Sequence, residues 1–133
     1  MSKLTQQAEN QPPASAEELL GRYSAGQRHF SEVDLPAGSN LRNSTLDGAT
    51  FDHGWLSEID FSGANLRHVS FLHCNVKCSD FRGANLEGAI FRGSLVEATY
   101  FDAANLTGVS FVGASAYGYE LKDGDMPDAQ GQL

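Results

Sequence analysis

The chain has 133 residues, and 17 acidic against 9 Lys and Arg side chains give it a formal net charge of −8. That balance excludes a basic surface patch for direct nucleic-acid binding, and no apolar run approaches the ~18 residues of a membrane span. The length provides for one domain, and the polar, Gln-rich stretch from Met1 to Pro13 lacks a charged-then-apolar signal pattern, so a soluble cytoplasmic protein is expected.

In chain order, residues 1–14 are expected to form a flexible N-terminal segment. Ser15-Ala16-Glu17-Glu18 then has the form of a capping box, with Ser15 as N-cap and Glu18 three residues on. It predicts a capping helix within residues 15–26, running from Ala16 toward Ala25 and ended by Gly26. Leu19, Leu20 and Tyr23 of this helix would lie over the element that follows.

From Leu41 to Phe111 a large apolar residue returns at every fifth position, without a slip. Five matches neither the 3.6 period of a helix nor the 2.0 of a strand, so the chain must turn a corner once per repeat and aim one large side chain inward. Two residues before this centre stands, in nearly every repeat, a small residue, as at Ala49, Ala64, Ser79, Ala84 and Ala89. A narrow interior at close-packed density demands it. Two residues after the centre, glycine is frequent, as at Gly48, Gly63, Gly83 and Gly88, where a corner needs unusual dihedrals.

With the motifs Ala84-Asn85-Leu86-Glu87-Gly88 and Ala104-Asn105-Leu106-Thr107-Gly108, the chain resembles the pentapeptide-repeat family. The resemblance implies an all-β solenoid, a right-handed quadrilateral β-helix with four pentapeptides to a coil, here over residues 27–121. A four-sided coil stacks residues twenty apart, and the columns are visible: Leu46, Leu66, Leu86, Leu106; Phe51, Phe71, Phe91, Phe111; Phe61, Phe81, Phe101; and Leu56, Val76, Val96, Ala116. These Phe and Leu residues are the expected core, spaced about 4.8 Å along the axis, with each Phe column forming offset ring stacks instead of mixed contacts. Phe30 and Leu35 act as two earlier centres. Pro36 to Asn40 holds one residue too many, which predicts a bulge, with Phe30 under Phe51 and Leu35 under Leu56.

After Phe111 the pattern decays through Ala116, Tyr117 and Tyr119 to Leu121, a possible last centre. Two outcomes are open for this end: Tyr117, Tyr119 and Leu121 form a homodimer interface, as the family resemblance also implies, or they fold back as a cap. Residues 122–133 are acidic and apolar-poor, and a flexible tail is expected.

Chemistry is sparse. Cys74 falls on an inward small position and Cys78 on a corner, so two separate thiols are expected, with a redox pair as the alternative. His53 and His73 occupy equivalent corners on adjacent coils with His68 nearby, but corners diverge and metal ligation needs convergence at about 2 Å. Solvated histidines are the reading. No nucleophile motif, phosphate loop or cleft-forming insertion is present. Thus no catalytic, cofactor-binding or metal residue, no cofactor and no small-molecule substrate are expected.

Function then belongs to the surface. The outward columns mix signs, as in Asp47, Arg67, Glu87 and Arg42, Ser62, Arg82, Asp102, which suggests weak ion pairs such as Arg67 with Asp47 or Glu87. Thr45, Asn65, Asn85 and Asn105 are expected to form an amide ladder. Trp55, Leu72, Ile90, Leu95 and Val112 are exposed apolar candidates for a partner surface. The expected function is a non-enzymatic protein-interaction or scaffold module. The alternative is a DNA-mimicking inhibitor or protector of DNA gyrase or another type II topoisomerase, an activity the family resemblance brings with it and the acidic net charge favours.

Overall fold

The computed structural model describes residues 11–127. Residues 1–10 of the expected N-terminal segment and 128–133 of the expected tail lie outside the described residues.

Helix α1 (Ala16–Ser24) comes first. Ser15 caps it from an extended conformation, its Oγ accepting from the Glu18 N–H at 3.1 Å. The reciprocal bond of a capping box would join Glu18 to the Ser15 N–H; here the Glu18 carboxylate accepts instead from the Ala14 N–H at 2.9 Å. That bond, and the Arg22 guanidinium at 2.6 Å, hold the Glu18 carboxyl below the usual carboxylate range. Leu19 is fully buried, and Leu20 and Tyr23 pack partly buried beside it. The Tyr23 hydroxyl donates to the Asp47 backbone carbonyl at 2.7 Å and to its carboxylate at 3.0 Å, tying the helix to the first coil.

From His29 the chain winds. Parallel bridges join residues twenty apart, from Asn40↔Asp60 up to Leu95↔Ser115, so each coil takes four five-residue segments. The lowest bridges, His29↔Thr50 and Asp34↔Trp55, span one residue more. The extra residue sits between Asp34 and Asn40, where the Ser39 N–H and hydroxyl both bond the Pro36 carbonyl, at 3.1 and 2.6 Å. Phe30 accordingly stacks under Phe51 with ring centroids 5.8 Å apart.

One hydrogen-bond scheme repeats, and Leu46 shows it. The centre N–H bonds the coil above (Leu46 to the Asn65 carbonyl, 2.9 Å), and so does the N–H two residues on (Gly48 to Arg67, 2.9 Å). The next closes the corner (Ala49 to Leu46, 3.1 Å), and the next bonds the coil below (Thr50 to Arg28, 2.8 Å). Only the N–H after the centre faces outward. An Asn or Asp before the centre supplies its acceptor, at Asn65–Arg67 (3.3 Å), Asp80–Arg82 (2.9 Å), Asn85–Glu87 (3.2 Å) and Asn105–Thr107 (3.1 Å). This Asx turn replaces the expected amide ladder: among the described residues one rung forms, Asn105 Nδ2 to Asn85 Oδ1 at 3.2 Å.

Every corner residue from Asn43 to Gly113 has positive φ, glycine or not, as at His53 (61°), His68 (58°) and Ala103 (61°). Two of every five residues are spent on the corner, so the extended part of a side is a single bridged residue. Among the described residues, regular strands occur only at the end of the coil, β1 (Ser115–Ala116) and β2 (Tyr119–Glu120).

The Phe columns stack, with Phe71–Phe91 at 4.8 Å and 11° and Phe61–Phe81 at 5.0 Å and 3°. The expectation of unmixed stacks is corrected, because the two columns also meet edge to face: Phe71–Phe81 at 5.7 Å and 79°, Phe81–Phe91 at 5.6 Å and 87°, Phe91–Phe101 at 5.9 Å and 88°. The interior is narrow enough for rings on neighbouring sides to touch, and their quadrupoles favour an edge against a face. Leu66 and Leu86 are fully buried, whereas Leu106 is only half-buried, since no coil follows above its side.

At the C-terminal end the winding stops before Leu121. Tyr117 (φ 53°) and Gly118 (φ 80°) form a turn with both φ values positive, the hand that suits a tight hairpin. β1 and β2 pair antiparallel, with Ala116 opposite Tyr119. The chain doubles back, the Leu121 N–H donates to the Ala114 carbonyl at 2.7 Å, and the Gly113 N–H donates to the Leu121 carbonyl at 2.8 Å. Leu121 is therefore a buried cap on the last segment, not a further centre above Phe101. Residues 122–127, the start of the expected flexible tail, form a turn against the hairpin: the Lys122 N–H and the Tyr119 hydroxyl donate to the Asp125 carboxylate at 2.9 and 3.3 Å, and Pro127 is buried.

Candidate interaction surface

The inward small positions leave no reactive group free. The Ser79 hydroxyl accepts from the Ile59 N–H and donates to the Leu56 carbonyl, and Ser94 serves the Cys74 N–H and Phe71 carbonyl in the same way. The Cys74 thiol donates to the Phe51 carbonyl at 2.8 Å, and burial pushes its pKa up to about 12. Cys78 is an exposed corner residue, and neither thiol is in a disulfide.

The corner histidines serve packing. His53 and His73 stack with centroids 5.4 Å apart at 20°. The rings of His68 and His73 lean over Gly88 and Gly93, where an added Cβ would come within 2.5 and 2.2 Å of an imidazole Nδ1. Among the described residues no three His, Cys, Asp or Glu side chains stand where they could hold a metal ion.

Outside, four of the five cations between Ala37 and Leu121 are ion-paired. Arg67 takes Glu87 at 3.8 Å, of its two expected partners, while Asp47 accepts from Tyr23 instead. Arg42–Asp60 and Lys77–Glu97 span coils at 3.7 Å each. Arg82 grips Asp80 from within one segment at 2.7 and 2.9 Å, which holds the Asp80 carboxyl below its ordinary range. Exposed pairs of this kind contribute under about 1 kcal/mol each.

The five apolar surface candidates do not form one patch. Trp55 is 57% exposed and Ile90 is 37% exposed, but Leu72, Leu95 and Val112 are half-buried, because side chains one coil apart on a column shield each other. Leu72 and Val112 line a shallow groove with His73, Arg92 and Glu120. Trp55 and Leu95 share a different column, separated by Asn75. At the C-terminal end Tyr117 and Tyr119 keep their rings largely exposed while Leu121 is buried.

Sequence reasoning overlooked Tyr100, which is 44% exposed and bridged directly to Asp80 of the coil below. The Arg82 guanidinium lies 5.6 Å from its ring centroid. The signal was available, since Tyr100 precedes a centre just as Trp55 does.

No curated protein sequence matches the chain. Among solved structures, it is similar to Rfr23, a pentapeptide repeat protein from the cyanobacterium Cyanothece 51142 (26% identity, TM-score 0.51, covering 71% of this chain and 60% of that one). It is similar over nearly its whole length to alr5209, a pentapeptide repeat protein from Nostoc PCC 7120 (23% identity, TM-score 0.54, covering 92% and 98%). Trypsin-treated QnrB1, a plasmid-mediated fluoroquinolone resistance protein, shares the fold at 22% identity and a TM-score of 0.52, over 67% of this chain and 43% of that one. The chain thus spans less than two thirds of Rfr23 and of QnrB1. The family model for pentapeptide repeats matches eight copies, in stretches 37–63, 46–83, 56–93 and 79–118. With that match over most of the coil, and bridges repeating at twenty residues, the chain belongs to the pentapeptide-repeat family.

Proposed function

We propose that this chain is a non-enzymatic protein-interaction module whose outer faces dock another protein. The observation that carries this reading is the division of its aromatic residues: all eight phenylalanines are buried, while Trp55, Tyr100, Tyr117 and Tyr119 stand exposed on a hydrogen-bonded rod. Trp and Tyr on a rigid surface are the residue types that dominate binding energy at interfaces. The coil is taken as right-handed and four-sided, as its family resemblance implies. The test compares the native chain with a Trp55→Ser, Tyr100→Ser, Tyr117→Ser variant of unchanged melting temperature. A partner captured by the native chain should bind the variant at least about tenfold more weakly; equal binding would reject the reading.

A second reading, the DNA-mimicking inhibitor or protector of a type II topoisomerase, is favoured by the net charge of −8 on a slender rod. Its mixed-sign columns and short length oppose it, since a mimic needs a continuous acidic stripe and a second copy to lengthen it. A homodimer through the C-terminal end, where Tyr117 and Tyr119 are exposed, is part of this reading and is measured by light scattering. Inhibition in a gyrase supercoiling assay would favour it over the first.

A further inference from the structure

Two outward columns of the coil carry an aspartate bridged directly to an aromatic residue one coil above. In one, Asp80 pairs with Tyr100; in the other, Asp34 pairs with Trp55. The first is occupied by a cation of the chain itself. Arg82, two residues after Asp80, holds the Asp80 carboxylate at 2.7 and 2.9 Å while its guanidinium lies 5.6 Å from the Tyr100 ring centroid. Aspartate and ring, about 4.8 Å apart along the column, together bind one planar cation from two directions.

The second column has the same bridge between its aspartate and its aromatic residue. The Trp55 N–H donates to the Val33 carbonyl at 2.7 Å, as the Tyr100 N–H does to Ser79 at 3.1 Å. Its aromatic residue is the better cation acceptor of the two. Two residues after Asp34, however, stands Pro36, which brings no charge. Among the described residues no cation lies over Trp55, and neither Asp34 nor the nearby exposed Glu32 and Glu58 takes part in an ion pair. Lys77, the cation on the next coil of this side, is held by Glu97 at 3.7 Å.

We infer that Asp34 and Trp55 form a seat for an arginine side chain of a basic segment on a partner protein, with the guanidinium bonded to the Asp34 carboxylate and stacked on the indole. This inference rests on the interaction-module reading and gives its partner a chemistry. The acids at Glu32 and Glu58 draw the basic segment to this side, and the backbone bridge sets Asp34 and Trp55 beside each other on adjacent coils.

Trp55 is the only tryptophan, so its fluorescence reports the seat directly. The probe is a hexa-arginine peptide titrated into the full chain at low salt, with hexaglutamate as control. A saturable change in Trp55 emission is expected with the arginine peptide alone, weakened about tenfold by Asp34→Asn. A Pro36→Arg variant that keeps the native circular dichroism should perturb Trp55 emission by itself and block the peptide, because it supplies the cation that Arg82 supplies to Tyr100. No response to the arginine peptide, or an equal response in Asp34→Asn, would overturn the inference. If the native partner still depends on the exposed aromatic residues in that event, the interaction-module reading survives without its basic partner.

Discussion

The hydroxyl of Ser79 crosses from one coil to the next, donating to the Leu56 carbonyl at 2.6 Å while accepting from the Ile59 N–H at 3.0 Å. It is inserted into a corner turn that other coils close directly, as Ala64 does to Phe61 at 3.0 Å. Ser79→Ala lets the Ile59 N–H take that direct route, so a loss of about 1 kcal/mol is expected in denaturant unfolding, well short of the ~3 kcal/mol of an orphaned buried group.

Phe91 touches four rings, stacking on Phe71 and Phe111 and meeting Phe81 and Phe101 by edge. Phe91→Ala in this closed interior is expected to cost about 3–5 kcal/mol. A loss under about 1 kcal/mol in a denaturant melt would contradict a stacked core.

Asn85 satisfies the Glu87 N–H through its side chain and receives the rung from Asn105. Asn85→Ala removes both and is expected to cost about 1–2 kcal/mol, whereas Asn85→Asp keeps the turn acceptor and costs less. Paired melting curves of the two variants measure the difference.

Ala103 holds a corner at φ 61° with a side chain that gains nothing visible there. Since the left-handed region costs a non-glycine residue about 1 kcal/mol or more, Ala103→Gly is expected to raise stability by about 0.5–1 kcal/mol after the entropic cost of glycine. The readout is the midpoint of chemical unfolding.

The two thiols should react apart. At mild alkaline pH an alkylating reagent is expected to modify Cys78 and spare Cys74 until the chain unfolds, checked by peptide mass mapping. Burial raises the Cys74 pKa from 9.0 to about 12 in the folded chain. The folded state therefore keeps its proton where the unfolded state releases it, and this contribution to stability is complete below pH 9.0 and declines as pH rises toward about 12. Tyr23, raised by burial and then by Asp47, acts in the same direction.

The core was legible because period and register are properties of spacing alone. The five-residue beat identified Phe51 and its column, and the extra residue after Asp34 was visible as a miscount before Asn40. What spacing does not carry is the width of the coil, and the edge-to-face contact of Phe71 with Phe81 depends on that width. The role of Asn65 and Asn85 was hidden for another reason: it emerges only when every backbone N–H is accounted for and the one after the centre is left over. At the C-terminus Tyr117-Gly118 carries no strong hairpin signal, so the spacing alone leaves Leu121 open as a further beat or a fold-back cap, and the structure shows the cap. On the surface, exposure of Trp55 followed from its place before a centre, while the shielding of Leu72 and Val112 by neighbours one coil away did not.

Bridges at twenty residues over a beat of five divide the insertions and deletions this gene can tolerate into two kinds. Gain or loss of twenty residues adds or removes a whole storey and leaves Phe over Phe and Leu over Leu. Gain or loss of five keeps every large side chain inward but turns the upper storeys by one side: a gain just above Phe91 sets Leu106 over Phe91 and Phe101 over Leu86, and a loss there sets Leu106 over Phe81 and Phe101 over Val76. The chain's length can therefore evolve freely only in the larger step, and the single-residue slip before Asn40 survives because it lies at the bottom, where one storey alone must adjust to it.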